Sequence, residues 1–106
     1  GSSDIIACDC TTPVSVVVET LASKRIGALP VLREGRVVGI VSERDVIYRL
    51  ADKGKDCLDV AVEEIMTSPA VTVEPGTTVD EALGMMTRRR FRHFPVVEDG
   101  ALVAFI

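Results

Sequence analysis

The sequence predicts an α+β fold: two pseudo-twofold-related β-α-β-β-α repeats packed sheet to sheet, the second lacking its last helix. A gap-free self-match at an offset of 65 residues comes first. Under it Thr12 meets Thr77, Val14 meets Val79, Arg25 meets Arg90, Pro30 meets Pro95, Val31 meets Val96, Gly35 meets Gly100 and Val38 meets Val103. Apolar character is kept at further pairs, among them Leu21 with Met86, Leu29 with Phe94 and Ile40 with Phe105. The second observation is a helical pattern followed by a hairpin pattern in each copy. The third is composition: 47% apolar but only 4% aromatic, so the core must be built from Val, Ile, Leu, Ala and Met, and Val-rich segments favour strands.

Each copy opens on a short extended stretch, residues 4–10 in the first and Val71-Thr72-Val73 in the second. Thr12-Pro13 and Thr78 read as helix starts, with a hydroxyl cap and Pro tolerated in the first turn. Thr78-x-x-Glu81 has capping-box spacing. Val14, Val17, Val18 and Leu21 recur at helical spacing, as do Val79, Ala82, Leu83 and Met86, placing one apolar stripe on each helix.

Leu29 to Leu32 and Phe94 to Val97 are apolar runs, each followed by a turn (Glu34-Gly35, Asp99-Gly100) and a second apolar run. Two-residue turns of this chemistry tolerate positive φ and read as β-hairpins. In the first copy Val37 to Val41 leads into Ser42-Glu43-Arg44-Asp45 and an amphipathic helix through Val46, Ile47 and Leu50, ending near Gly54. The sequence stops at Ile106, before any counterpart of that helix. The expected division is a first repeat over 4–55, a linker with a short helical turn over 56–68, and a second repeat over 69–106. Neither copy can bury its sheet face alone, so the halves are expected to pack on each other. Gly1-Ser2-Ser3 is left out of the fold argument.

Charge and residue inventory narrow the function. At 106 residues and a formal charge of −4 the chain suits one compact domain and not a general nucleic-acid binder. Three cysteines, Cys8, Cys10 and Cys57, form neither an even disulfide set nor a C-x-x-C pair, which fits a reducing compartment. No apolar run approaches the roughly 20 residues of a membrane-spanning helix, and a signal-peptide pattern is missing, so a cytoplasmic location is expected. His93 is the one histidine, which excludes a metal site built from imidazoles. Neither glycine-rich phosphate-loop motif occurs, and no Ser/His/Asp or Cys/His grouping can be assembled, so an enzyme is not expected.

Several residues carry two readings. Ser42-x-x-Asp45 is an ordinary helix start, Ser as cap and Asp at the positive end of the dipole. Arg88, Arg89 and Arg90 read as a solvated helix end. His93 suits either packing or a phosphate contact. Cys8-x-Cys10 is read as structural, and Met66, Met85 and Met86 as core filler.

Gly39-Ile40-Val41-Ser42-Glu43-Arg44-Asp45, Ile65-Met66-Thr67 at the junction and Arg92-His93-Phe94-Pro95-Val96 resemble, in this order and with this repeat, the tandem CBS (cystathionine-beta-synthase-type) domain pair. The resemblance covers nearly the whole chain. It implies a regulatory module, not an enzyme, whose inter-repeat cleft takes an adenosine ligand such as AMP, ADP, ATP, NAD or S-adenosylmethionine. It further implies that Asp45 accepts hydrogen bonds from both ribose hydroxyls and that Ser42 offers its hydroxyl to ribose or phosphate. By the same resemblance Arg92 and His93 reach the phosphates, backbone around Val71 and Thr72 meets the adenine edge, and Pro95 lines the cleft. Met66 falls near the junction lining the cleft in similar proteins.

Repeat one has Gly27-Ala28 where repeat two has Arg92-His93, and the sequence ends before any counterpart of Asp45. One competent cleft, from Ser42, Asp45, Arg92 and His93, is therefore expected. No catalytic cofactor and no metal are expected, and a homodimer through the helices is. The rival reading is a ligand-free homodimerisation module. Nucleic-acid binding through Arg88 to Arg92 ranks below both, since the chain is acidic and offers no aromatic stacking platform.

Overall fold

The computed structural model describes residues 5–68, 70, 74, 76, 81, 95–98 and 101–105. The first copy runs β1 (Cys8–Asp9), α1 (Val14–Lys24), β2 (Ala28–Arg33), β3 (Arg36–Ser42) and α2 (Glu43–Lys53). Two 3₁₀ turns follow, Gly54–Asp59 and Val62–Glu64, and the second copy supplies β4 (Pro95–Glu98) and β5 (Ala101–Phe105). The expected strand at 71–73 and the turn at Asp99-Gly100 lie outside the described residues. Of the helix expected after Thr78, Glu81 is described and is helical.

The stripe on α1 sorts as its spacing requires: Val14, Val17 and Leu21 are buried, and Val18 packs at their margin. The start of α1 differs from expectation. Pro13 occupies the capping position and no side chain caps the helix. Backbone from the linker does the work instead: the Val14 amide donates to the Val60 carbonyl at 2.9 Å, and the Val62 amide to the Thr12 carbonyl at 2.7 Å. An orphan helix amide needs an acceptor of some kind, and a tertiary carbonyl serves as well as a hydroxyl. At the other end Arg25 turns left-handed (φ 54°) and the Ile26 amide reaches back to Leu21, closing a Schellman-type cap.

The β2–β3 hairpin turns through Glu34 and Gly35, both at positive φ (52° and 79°), as a type I′ turn demands. Its ladder pairs Pro30 with Ile40, Val31 with Gly39, Leu32 with Val37 and Arg33 with Arg36, leaving Val38 as the extra residue of a bulge. Shifted by the 65-residue offset, that ladder becomes Pro95 with Phe105, Val96 with Ala104, Val97 with Leu102 and Glu98 with Ala101, the ladder β4–β5 forms. The bulge repeats at the same place.

The five described strands run in the order β1-β2-β3-β5-β4, with β1 parallel to β2. Among the described residues β3 and β5 meet antiparallel at Arg36 and Ala101. These two are equivalents under the repeat offset. Equivalent residues facing each other on an antiparallel bridge mark the pseudo-twofold axis between the copies.

Cys10, Val14, Val17, Leu21, Leu29, Val31, Val41, Val46, Val62 and Ile65 form one buried aliphatic cluster. Fully burying a Val or Leu stabilises by about 1.5–3 kcal/mol, so the cluster dominates the stability of the first copy. Val62 and Ile65 come from the segment that follows α2, which therefore closes this core. On α2 the expected stripe is only partly buried. Val46 is inside, whereas Ile47 (58% exposed), Tyr48 (67%) and Leu50 (36%) remain open, because no element among the described residues covers that face.

Candidate functional site

Ser42 ends β3 and, in extended conformation, caps α2. Its Oγ accepts from the Asp45 amide at 3.2 Å, while Asp45 Oδ2 accepts from the Ser42 amide at 2.8 Å and from Ser42 Oγ at 3.1 Å. This is a capping box with Asp in the third position, and Glu43 and Asp45 put negative charge on the positive end of the helix. The capping reading of Ser42-x-x-Asp45 is thus realised, and it leaves the half-buried carboxylate fixed in place.

The other carboxylate oxygen faces the segment leading out of the first copy. Thr67 Oγ1 donates to Asp45 Oδ1 at 3.2 Å. Thr67 is held there by its own backbone: its amide donates to Ile40 at 2.8 Å, its carbonyl accepts from Ile40 at 3.0 Å, and the two form an isolated antiparallel bridge. Beside it Ser68 Oγ donates to the Val38 carbonyl at the bulge, at 3.0 Å. Met66 and Thr67 lie so close over β3 because position 39 is glycine.

Thr67 was absent from the residues that sequence reasoning assigned to the site. A glycine inside a strand marks a bulge or a close backbone approach, so Gly39 and the Ile65-Met66-Thr67 motif are the available signals.

The structure brings Ser42 and Asp45 together. Pro95 begins β4 opposite Phe105 and its ring is fully buried, so it presents packing surface and no donor. Val71, Thr72, Arg92 and His93 lie outside the described residues.

Elsewhere, Asp9 accepts from the Thr11 hydroxyl at 2.6 Å and the Thr11 amide at 3.1 Å, and these bonds hold its carboxyl below the usual range. Burial, with Asp9 and Cys10 beside it, pushes the Cys8 thiol up to about 11. Arg33 pairs with Glu63 at 3.3 Å, tying β2 to the second 3₁₀ turn. Among the described residues no His, Cys, Asp and Glu side chains group as a metal site would need. No described helix is long and apolar enough to cross a membrane.

Comparison with known proteins gives this geometry a context. The family profile of the CBS domain matches residues 2–52 and 62–106. The mitochondrial CBS domain-containing protein CBSX3 of Arabidopsis thaliana is 33% identical over 104 residues, covering 92% of this chain and 50% of the relative. The chain spans about half the length of the first curated relatives it matches. Among solved structures, the CBS-domain protein ATU1752 from Agrobacterium tumefaciens superposes with a TM-score of 0.89 at 34% identity, over 97% of this chain and 82% of that one. The CBS domain pair of protein MJ0100, in complex with 5′-methylthioadenosine and S-adenosyl-L-methionine, gives 0.86 at 26% identity, over 96% and 80%. CBSX2 in complex with AMP gives 0.83 at 26% identity, over 98% and 81%.

Proposed function

The chain belongs to the CBS domain family, and from that premise we propose that it is a non-catalytic sensor that takes an adenosine ligand between its repeats, with the ribose diol on Asp45. The observation that carries the reading is the Asp45 carboxylate, half-buried at the head of α2 and locked by the Ser42 amide and hydroxyl. A fixed carboxylate can accept from two vicinal hydroxyls without losing entropy on binding. AMP, 5′-methylthioadenosine and S-adenosylmethionine, the molecules bound by the similar pairs, share the adenosine unit and its diol. ATP and NAD carry the same unit.

In this reading Arg92 and His93, just before Pro95, supply cationic and hydrogen-bonding groups to phosphate, and the backbone at Val71 and Thr72 meets the adenine. Because those residues belong to the second copy and Asp45 to the first, a bound nucleotide bridges the two. Such a bridge shifts the pair between arrangements to the extent that its affinity for them differs. Three free thiols support a reducing compartment such as the cytoplasm.

Calorimetric titration with AMP, ATP, S-adenosylmethionine and NAD tests the reading. Heat of binding from at least one, lost in Asp45→Asn, is expected. No heat from any of the four, or binding indifferent to Asp45, would overturn it.

The exposed side chains on α2 favour a second reading, in which this face pairs two copies. Ile47, Tyr48 and Leu50 form an apolar patch on a helix that otherwise carries charge. Sedimentation equilibrium of the chain against Ile47→Glu tests the pairing: a dimer that becomes a monomer supports it, and a monomer in both removes it.

A further inference from the structure

Asp45 is already engaged from outside its own helix, and counting its donors shows what a ligand must displace. A carboxylate offers about four lone-pair positions. Three are taken: the Ser42 amide and hydroxyl on Oδ2, and the Thr67 hydroxyl on Oδ1. A vicinal diol brings two donors to the one position left. One internal donor must go. The Ser42 amide is fixed by the backbone, and Ser42 Oγ is pinned by the bond it accepts from the Asp45 amide. Thr67 is the exposed partner, it comes from 22 residues away, and its 3.2 Å contact is the longest of the three.

We infer that Thr67 is a built-in competitor for the ribose site: its hydroxyl holds Asp45 Oδ1 and is displaced when a diol binds. The inference rests on the nucleotide reading of Asp45 given above. It identifies Thr67 as a residue that sets affinity and discriminates ribose from deoxyribose ligands. It also names a route for the signal. Thr67 is bridged to Ile40 and followed by the segment that enters the second copy, so its release changes the tether between copies at the point where ligand arrives.

The test compares Thr67→Val, Thr67→Ser and the unaltered chain by calorimetry, with AMP and 2′-deoxy-AMP. Removing a competing hydrogen bond of ordinary strength should tighten AMP binding about two- to tenfold. Thr67→Ser, which keeps the hydroxyl, should bind as the unaltered chain does. The gain should be missing with 2′-deoxy-AMP, whose single ribose hydroxyl fits the remaining position. A merely structural role would not tighten binding, nor make the effect depend on the 2′-hydroxyl.

Equal or weaker AMP binding by Thr67→Val, or an equal gain with both nucleotides, overturns the competitor role while leaving the functional reading intact. If the unaltered chain binds neither AMP nor any other adenosine ligand, the functional reading falls and takes this one with it. On the unaltered chain, the Thr67 methyl resonance should shift on saturation with AMP and stay put with 2′-deoxy-AMP. Its failure to move with AMP also counts against displacement.

Discussion

A β-carbon built on Gly39 would stand 2.5 Å from Met66 Sδ and 2.8 Å from the Thr67 carbonyl oxygen. The thioether could swing aside, but the carbonyl could not without breaking the Ile40–Thr67 bridge. The glycine is therefore what lets the junction lie against β3 and put Thr67 over Asp45.

Gly39→Ala should accordingly destabilise the chain by about 1–3 kcal/mol, the usual cost of overpacking a well-filled site. Urea unfolding followed by circular dichroism reads this directly. Gly39→Ala combined with Met66→Ala should recover only part of the loss, since the Thr67 carbonyl remains in the way. Full recovery would mean that the methionine alone demands the glycine.

Ser42 and Asp45 hold the start of α2, so substitutions there act on stability as well as on any ligand. Ser42→Ala should cost about 1 kcal/mol, within the range for lost N-caps. Asp45→Ala should cost a similar amount, because it removes the acceptor for the Ser42 amide. Asp45→Asn keeps an acceptor there and should lie closer to the unaltered chain. Thermal melts of the three variants check that order, and it is why the asparagine variant is the right probe of binding.

Much of this was legible in the residues. The offset that pairs Arg36 with Ala101 in the sequence pairs them again on the sheet, and Val14, Val17 and Leu21 are buried as their spacing requires. Periodicity and turn chemistry are local, so they show in sequence. The cap of α1 is not legible in the residues, because its partners, Val60 and Val62, are tertiary and leave no mark near Thr12. The apolar positions of α2 are legible too, but periodicity says which face is apolar, not whether anything covers it. Thr67 stands in the Ile65-Met66-Thr67 motif, but its contact with a carboxylate 22 residues away has no sequence pattern beyond that motif and the glycine that permits it.

The 56–68 segment, expected as a linker, supplies Val62, fully buried, and Ile65, 6% exposed, to the core around α1, β2 and β3. Val62→Ala should cost about 2 kcal/mol, whereas Glu64→Ala at the exposed neighbouring position should fall within about 0.5 kcal/mol of the unaltered chain. Chemical denaturation of both variants tests whether the junction is core or tether. Equal effects would make it a tether.

Cys8 offers a test that depends on pH. Its thiol is raised from 9.0 to about 11, first by burial and then by Asp9 and Cys10. An unfolded chain would release that proton near the ordinary value, so between about 9 and 11 the folded state holds more protons than the unfolded one. Stability from this group is complete below pH 9 and declines as pH rises through the window toward 11. The thiolate is the reactive form, so at pH 8 folded Cys8 should be alkylated by iodoacetamide about a hundredfold more slowly than after unfolding in urea. Peptide mass spectrometry separates Cys8 from the buried Cys10 and Cys57. Modification of Cys8 in the folded chain at the rate of an exposed thiol would show that β1 does not hold it against Pro30 as the structure places it.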